Sequence, residues 1–344
     1  ARAQVAALIN AEPREIIFTS CGTESDNAAL NSALQTQLGK RHIITTAVEH
    51  SANIKYGQML EKRGVEVTWI PVDRAGQLDV HEVHEAIRED TALVSVMMAN
   101  NESGVIFPIE EIVAICRIKG VPFHTDAVQT PGKMKLDVRA LGVDYLSLSA
   151  HKLHAPKGIG CLYVRHGLPY QPYVLGGGQE SGRRGGTENV ANIVAFGKAA
   201  EMAVDSLGAE VERVRALRNR MEEGILETIP GVTRNGAKEP RLASTSNLSF
   251  ADCEAEAILL LLNREGICAS SGSACTTGSM APSHVLIAMG LSPEHAMGAV
   301  RFSLSKYTTD AEVDYLLEKL PGIIEKLRGA SPKTEQSAAE AVHS

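Results

Sequence analysis

D-Y-L-S-L-S-A-H-K-L-H-A-P-K-G, Asp144 to Gly158, reads as a short strand over Asp144–Leu148 that stops and passes the chain into a turn holding Lys152. In an open α/β sheet, ligands bind just beyond the carboxyl ends of the strands. A lysine placed there, with Ser149, His151 and Gly158 around it, suits a Schiff base whose neighbours hold a phosphate. A surface lysine in a loop is the plainer reading of the same residues.

Working outward, β-rich runs alternate with helical ones. Runs over His42–Thr46, Glu66–Ile70, Ala92–Met97, Val121–His124, Asp144–Leu148 and Gly160–Val164 predict strands. Helical periodicity covers Ser25–Leu38, Ser51–Arg63, Asp79–Glu89 and Ile109–Lys119. This alternation predicts an α/β sheet, largely parallel, with helices on both faces. The Gly-rich stretch L-G-G-G-Q-E-S-G-R-R-G-G-T, Leu175 to Thr187, marks a long loop. Long helical patterns follow to about Glu227. A second, α+β unit then reads as strand Thr245–Phe250, helix Glu254–Glu265, strands Gly266–Ser270 and Ala299–Leu304, and helix Asp310–Leu327. The small, polar tail Ser331–Ser344 is expected to be disordered.

The chain has 344 residues, 34 basic against 41 acidic, for a net charge of −7. That balance argues against a nucleic-acid partner, which needs a basic footprint. No apolar run approaches the roughly 18 residues of a membrane span. The six cysteines form no C-x-x-C pair, and a chain this long builds its core without disulfides. A reducing, cytoplasmic compartment is the expectation. The chain opens at Ala1 inside an amphipathic helix, so residues before Ala1 are expected in the natural protein.

Other strand ends also carry chemistry. In V-P-F-H-T-D-A-V-Q, Val121 to Gln129, Asp126 lies just past a strand. A carboxylate there suits the protonated ring nitrogen of a pyridoxal cofactor, or it caps a helix. In I-F-T-S-C-G-T-E-S-D-N, Ile17 to Asn27, a strand runs into Gly22 and Thr23 and then a helix, whose first N–H groups attract phosphate. The Thr23-to-Asp26 spacing also fits a capping box. His50, in V-E-H-S, stands at another strand–helix junction, where a lone histidine is usually structural.

Taken together, these loops resemble the pyridoxal-phosphate (PLP) enzymes of the fold-type-I aminotransferase superfamily, class V, and within it the NifS/IscS-type cysteine desulfurases. The resemblance covers Ile16 to Leu327. Its most specific element is A-S-S-G-S-A-C-T-T-G-S-M-A-P-S, Ala269 to Ser283, which is similar to the family's longer-loop group. M-A-N-N-E-S-G-V-I-F-P (Met98–Pro108) and H-K-L-H-A-P-K-G (His151–Gly158) resemble the NifS branch in particular. The implied fold is a large, mostly parallel, seven-stranded PLP-binding domain over residues 1–208. A smaller α+β domain carrying the Cys loop follows over residues 209–330, then the tail over residues 331–344.

The resemblance implies a role for each matching residue. Lys152 would hold PLP, Asp126 would pair with its ring nitrogen and Gln129 with its ring hydroxyl. His50 would stack on the ring. Gly22, Thr23, Ser149 and His151 would hold the phosphate, and Thr187 would reach the phosphate of a second subunit, making a homodimer obligatory. Asn101 would lie beside ring and substrate, and Arg301 would clamp the substrate carboxylate. Cys275 would be the nucleophile, accepting sulfur as a persulfide while L-cysteine becomes L-alanine. The sulfur would pass to an Fe–S scaffold or another acceptor, in an Fe–S assembly role that can include nitrogenase maturation. No resident metal is implied, although the persulfide could share a cluster with a scaffold in passing. The composition of Ser270–Ser283 suggests a mobile loop, since it buries little apolar surface against the cost of ordering.

Two departures stand out. The family's L-D-N-x-A-T-T-like opening segment does not precede Ala1, and the phosphate turn reads Cys-Gly-Thr where relatives have Gly-Ala-Thr. His81-Glu82-Val83-His84-Glu85 resembles a zincin helix, but its histidines are three apart instead of four, so it reads as a solvated helix. Arg183 and Arg184 fit either a partner contact or an ion pair. The rival functions are a selenocysteine lyase or aminotransferase on the same fold, neither of which needs Cys275. A non-catalytic sulfur carrier or Fe–S scaffold is another, but it leaves Lys152, Asp126 and Gln129 without a purpose.

Overall fold

The computed structural model describes residues 1–272 and 281–330. The disorder expected for residues 331–344 concerns positions outside the described residues. The first half builds a seven-stranded sheet from β1 (Ile16–Thr19), β2 (His42–Thr46), β3 (Glu66–Ile70), β4 (Thr91–Ser95), β5 (Phe123–Asp126), β6 (Tyr145–Ser149) and β7 (Gly160–Val164). Their order across the sheet is β1-β7-β6-β5-β4-β2-β3. Pairings from β6 through β3 are parallel, while β7 is antiparallel to both its neighbours. Only about ten residues separate β6 from β7, which is short of the dozen or so that a parallel crossover requires. The chain therefore doubles back, and Lys152 sits in that reversal.

Strands β2, β4, β5, β6 and β7 are buried along their whole length. Helices cover both faces, as continuous apolar, β-branched strands require. The edge strand β3 is instead only partly covered, with Glu66 exposed and Thr68 and Trp69 half-buried. The helices include α2 (Gly22–Thr36), α3 (Ser51–Glu61), α4 (Val80–Ala86) and α5 (Ile109–Lys119). Helix α5 ends on Gly120, whose left-handed conformation (φ 67°) turns the chain toward β5. α1 (Arg2–Leu8) packs on the later helix α7 (Val190–Ser206).

A second sheet is antiparallel, in the order β10-β11-β9-β8, from β8 (Val232–Arg234), β9 (Thr245–Phe250), β10 (Ser270–Ser271) and β11 (Ala299–Ser303). Three helices pack on it around their own apolar cluster: α8 (Ala209–Thr228), α9 (Ala255–Arg264) and α12 (Asp310–Ala330). The expected strand Gly266–Ser270 shrinks to Ser270–Ser271, because Gly266 (φ 74°) is still turning the chain out of α9. Strand β8 was not anticipated: its three residues are too few for a periodicity to show.

The two sheets are tied together next to the site. Asn247 on β9 donates its side-chain N–H to the Glu102 carbonyl (3.3 Å), and Arg301 on β11 reaches the Asn101 carbonyl (2.7 Å).

Candidate active site

The carboxyl ends of five strands open on one side of the large sheet and deliver the loops that hold the candidate residues. β1 leads into Gly22 and Thr23, β2 into His50, and β4 into Asn100–Glu102. β5 ends at Asp126, and β6 runs into the turn Ala150–Leu153 with Lys152.

Gly22 shows how closely these loops approach one another. A Cβ at this position would stand 2.8 Å from Val128 Cγ2 and 3.6 Å from Ser149 Cβ. The first turn of α2, the Asp126 loop and the Lys152 turn therefore share one contact, which a side chain would break. Helix α2 begins at Gly22, and its N-cap, Cys21, makes no side-chain hydrogen bond to it. The capping box anticipated at Thr23 and Asp26 does not form. Thr23 lies inside the first turn and is exposed, and Asp26 is buried beneath the helix. The leading N–H groups of α2 receive no side-chain cap from Cys21, which suits an anion. Beside them, Ser149 Oγ and His151 Nδ1 are hydrogen-bonded at 2.8 Å.

Asp126 is buried and accepts the Val128 N–H at 2.8 Å. Burial pushes its carboxyl above the ordinary range, against the pull of His50, the Val128 N–H and Lys152. His50 caps α3 by accepting the Ala52 N–H on Nδ1 (3.2 Å). Burial lowers its pKa, with Asp126 opposing and Lys152 and His284 adding to the fall. The ring is therefore held neutral, and with Nδ1 accepting, its proton sits on Nε2. Lys152, Asp126 and His50 thus act on one another electrostatically across the mouth of the sheet. Gln129 lies three residues beyond Asp126, partly buried.

Asn100 fixes the loop after β4. Its amide donates to the Val48 carbonyl (2.9 Å), and its Oδ1 accepts from the Glu102 and Ser103 N–H groups, both at 2.9 Å. This holds Asn101 with its carbonyl on Arg301 and its side-chain Oδ1 buried without a hydrogen-bond partner among the described residues. Thr187 is exposed in the Gly-rich loop. That loop is strapped to the start of α2 by Arg184, which grips Glu24 at 2.8 and 3.0 Å. The ion-pair alternative therefore accounts for Arg184, and Arg183 donates to the Ile16 carbonyl (3.1 Å). Cys275, and the mobility expected around it, lie outside the described residues.

Sequence reading missed a buried polar layer under the site. His124 is wedged between Ser95 (2.8 Å) and Ser147 (3.0 Å), with Asp26 3.6 Å away. Burial drives the His124 pKa down to about 3 and that of Asp26 well up, so both are neutral. Glu49, next to His50, is fully buried and accepts from Met97 N–H, Asn53 and Thr46, yet burial still raises its pKa to about 7. A partial signal exists in the sequence, since an acidic residue directly before a strand-end histidine is unusual for a core. Away from the site, His81, His84 and Glu85 bring ligand atoms within 4.8 Å of one another on α4. His84 is bonded to Glu85 (2.9 Å) there, at the surface.

Among proteins of known activity, the chain is 54% identical to "Cysteine desulfurase 2" of Trichormus variabilis over 98% of this chain and 85% of that protein. It is 49% identical to "Cysteine desulfurase NifS" of Azotobacter vinelandii over 96% and 83%. A solved structure described as a NifS-like protein superposes with a TM-score of 0.88 at 40% identity, covering 94% of this chain and 86% of that one. That likeness extends to the mostly parallel seven-stranded sheet of fold type I. The aminotransferase class-V family matches residues 1–316, and the chain belongs to that family.

Proposed function

We propose that this protein is a PLP-dependent cysteine desulfurase that converts L-cysteine to L-alanine and takes the sulfur onto Cys275 as a persulfide. The observation that supports this most is the convergence of Lys152, Asp126 and His50 at the strand ends of a chain 54% identical to a cysteine desulfurase.

The residues present suit the cofactor. The start of α2 is bare at Gly22 and uncapped by Cys21, and with Thr23, Ser149 and His151 it forms a phosphate cradle. Asp126 is a buried carboxyl whose pKa is raised by desolvation, and a protonated ring nitrogen would offset that cost. Lys152 Nζ would anchor the cofactor covalently, Gln129 would hold its ring hydroxyl, and His50 would pack against the ring. When bound, PLP supplies an electron sink for the carbanion at the substrate Cα.

The chain's own groups carry the remaining steps. Arg301 receives the substrate carboxylate in a bidentate grip, with Asn101 beside it. Lys152 Nζ moves the proton from Cα. The Cys275 thiolate attacks the substrate sulfur. An S–S bond forms, the Cβ–S bond breaks with its electron pair going to carbon, and proton uptake completes alanine. Cys275 is left as the persulfide, for delivery to an Fe–S scaffold or another acceptor thiol. The NifS branch is favoured by the Met98–Pro108 and His151–Gly158 motifs. A cytoplasmic setting fits the absence of disulfides among the described cysteines, and no described helix is long and apolar enough to cross a membrane. The decisive assay is release of alanine and sulfide from L-cysteine with and without PLP. Absence of both in the PLP-supplemented protein rejects this function.

We further infer a homodimer with composite sites. Thr187 is exposed at the end of a loop strapped to the phosphate cradle, so it is available to a neighbouring subunit. Mixing Lys152→Ala chains with Thr187→Ala chains under subunit exchange should then restore part of the activity that each homodimer lacks. Failure of complementation removes the shared site.

Asp126 permits a test that separates function from folding. Its raised pKa means the native state keeps a proton that the unfolded chain has already released. In the cofactor-free protein, its contribution to stability therefore falls as pH rises from the ordinary carboxylate value upward. Asp126→Asn should leave the melting temperature of the cofactor-free protein unchanged or higher at pH 7. It should also lower kcat by on the order of 100-fold, the scale of losing one electrostatic stabiliser. A clear fall in melting temperature, or an unchanged Cα-proton exchange rate, contradicts the assignment.

A further inference from the structure

Glu102 is fully buried in the loop after β4, and its backbone is held on both sides. Its N–H donates to Asn100 Oδ1 (2.9 Å), and its carbonyl accepts from Asn247 on β9 (3.3 Å). A carboxylate fixed so firmly in the interior needs a reason, because an uncompensated buried charge is costly.

Its side chain meets two residues that are remote in sequence. Oε2 accepts a 2.5 Å hydrogen bond from Ser283 Oγ. A Cβ built on Gly272 would stand 2.6 Å from the same oxygen, so the Gly272 backbone passes directly against the carboxylate. Gly272 and Ser283 bracket, in sequence, the stretch that carries Cys275. Oε1 is buried and has no hydrogen-bond partner among the described residues.

The surroundings connect these roots to the rest of the site. Arg301 Nη1 donates to the Asn101 carbonyl (2.7 Å) and reaches the Gly272 carbonyl (3.4 Å). Ser283 also caps the helix His284–Ala288, and His284 Nε2 contacts the Glu49 carbonyl (2.9 Å), one residue from His50. Burial raises the pKa of Glu102, while Ser283, His284 and Arg301 pull it back down.

We propose that Glu102 is the positioning residue for sulfur transfer, its carboxylate hydrogen-bonding the Ser283 root of the Cys275 segment and packing against the Gly272 root, beside the loop that meets Arg301. This rests on the desulfurase reading and deepens it. Arg301 keeps its shorter hydrogen bond to the Asn101 carbonyl (2.7 Å) when the Gly272 contact (3.4 Å) is disturbed, so the larger effect falls on delivery of the thiolate. Misplacing a reacting atom by about 1 Å can cost about 100-fold in rate.

The test compares two reactions of the same holoenzyme. One is sulfide release from L-cysteine under a thiol reductant, which needs Cys275. The other is exchange of the L-alanine Cα proton in deuterated water, which needs Lys152 but not Cys275. Glu102→Gln should lower kcat for sulfide release by about tenfold or more and leave proton exchange within about twofold of wild type. Ser283→Ala removes the same hydrogen bond from the other side without altering a buried charge. It should show the same split with a smaller loss, and it decides the matter if the Glu102 variant does not fold. Wild-type sulfide release in both variants overturns the proposal, as does a parallel loss of both reactions. A wild-type protein that exchanges the alanine proton but releases no sulfide overturns the desulfurase reading itself, an outcome distinct from an idle Glu102.

Discussion

Lys152→Ala should abolish both turnover of L-cysteine and the visible absorbance of the PLP-loaded protein, with kcat falling by at least on the order of 10⁴-fold. Two losses add here. In the proposed function the lysine would be both the covalent anchor of the cofactor and the group that moves the Cα proton. General acid–base transfer alone is worth about 10² to 10⁴-fold. The structure gives physical support for this assignment. Lys152 stands in the reversal between β6 and β7, and it acts electrostatically on both Asp126 and His50. Removing one positive charge from that trio should also raise the pKa values of both partners, since Lys152 lowers each of them. The measurement is an absorbance spectrum with borohydride reduction, followed by mass mapping. A variant that keeps the visible band and is still reduced onto protein removes Lys152 from the anchor role.

Much of this was legible in the sequence because a parallel sheet converts one-dimensional order into position. Each β-rich run ends where its loop must emerge, and the helix that follows returns the chain to the same starting edge. Lys152, Asp126 and His50 could therefore be placed on one rim from strand ends alone, and His42–Thr46, Glu66–Ile70 and Gly160–Val164 appear with the limits that periodicity predicts. Strand direction was less visible. Gly160–Val164 reads as a strand, but nothing in its residues says antiparallel; the shortness of the connection does. Of the two compatible readings of Thr23, the capping box does not form, because the helix already opens at Gly22, one residue earlier. Glu102 was invisible as a functional group for a different reason. Its partner Ser283 lies 181 residues away, and no local pattern encodes a contact between a strand-end loop and a helix cap so distant in sequence. The Asp26–His124 pair is likewise a product of burial, which raises the pKa of the carboxyl and lowers that of the imidazole.

Cys275→Ala should separate the two halves of the chemistry. Sulfide release from L-cysteine should drop to background, a loss of at least on the order of 10³-fold, because the proposed nucleophile is gone and the buried thiols are poor substitutes. Cys116 and Cys161 are buried inside the large sheet's packing, with burial raising both thiols far from the reactive range. Cys253 is likewise raised by burial, beside Arg328 in the smaller unit. A thiol that stays protonated is a poor nucleophile, whatever its distance from the substrate. Everything upstream of sulfur attack belongs to other residues. The variant should therefore keep the cofactor's visible band, respond spectrally to added L-cysteine, and exchange the L-alanine Cα proton at the wild-type rate. The result also discriminates between functions on this fold. An aminotransferase or a selenocysteine lyase needs Lys152 and Asp126 but not this thiol, so full turnover by Cys275→Ala with one of their substrates would assign the chain to that chemistry. Retention of sulfide release from L-cysteine would mean that sulfur leaves without passing through Cys275, and the persulfide step would have to be abandoned.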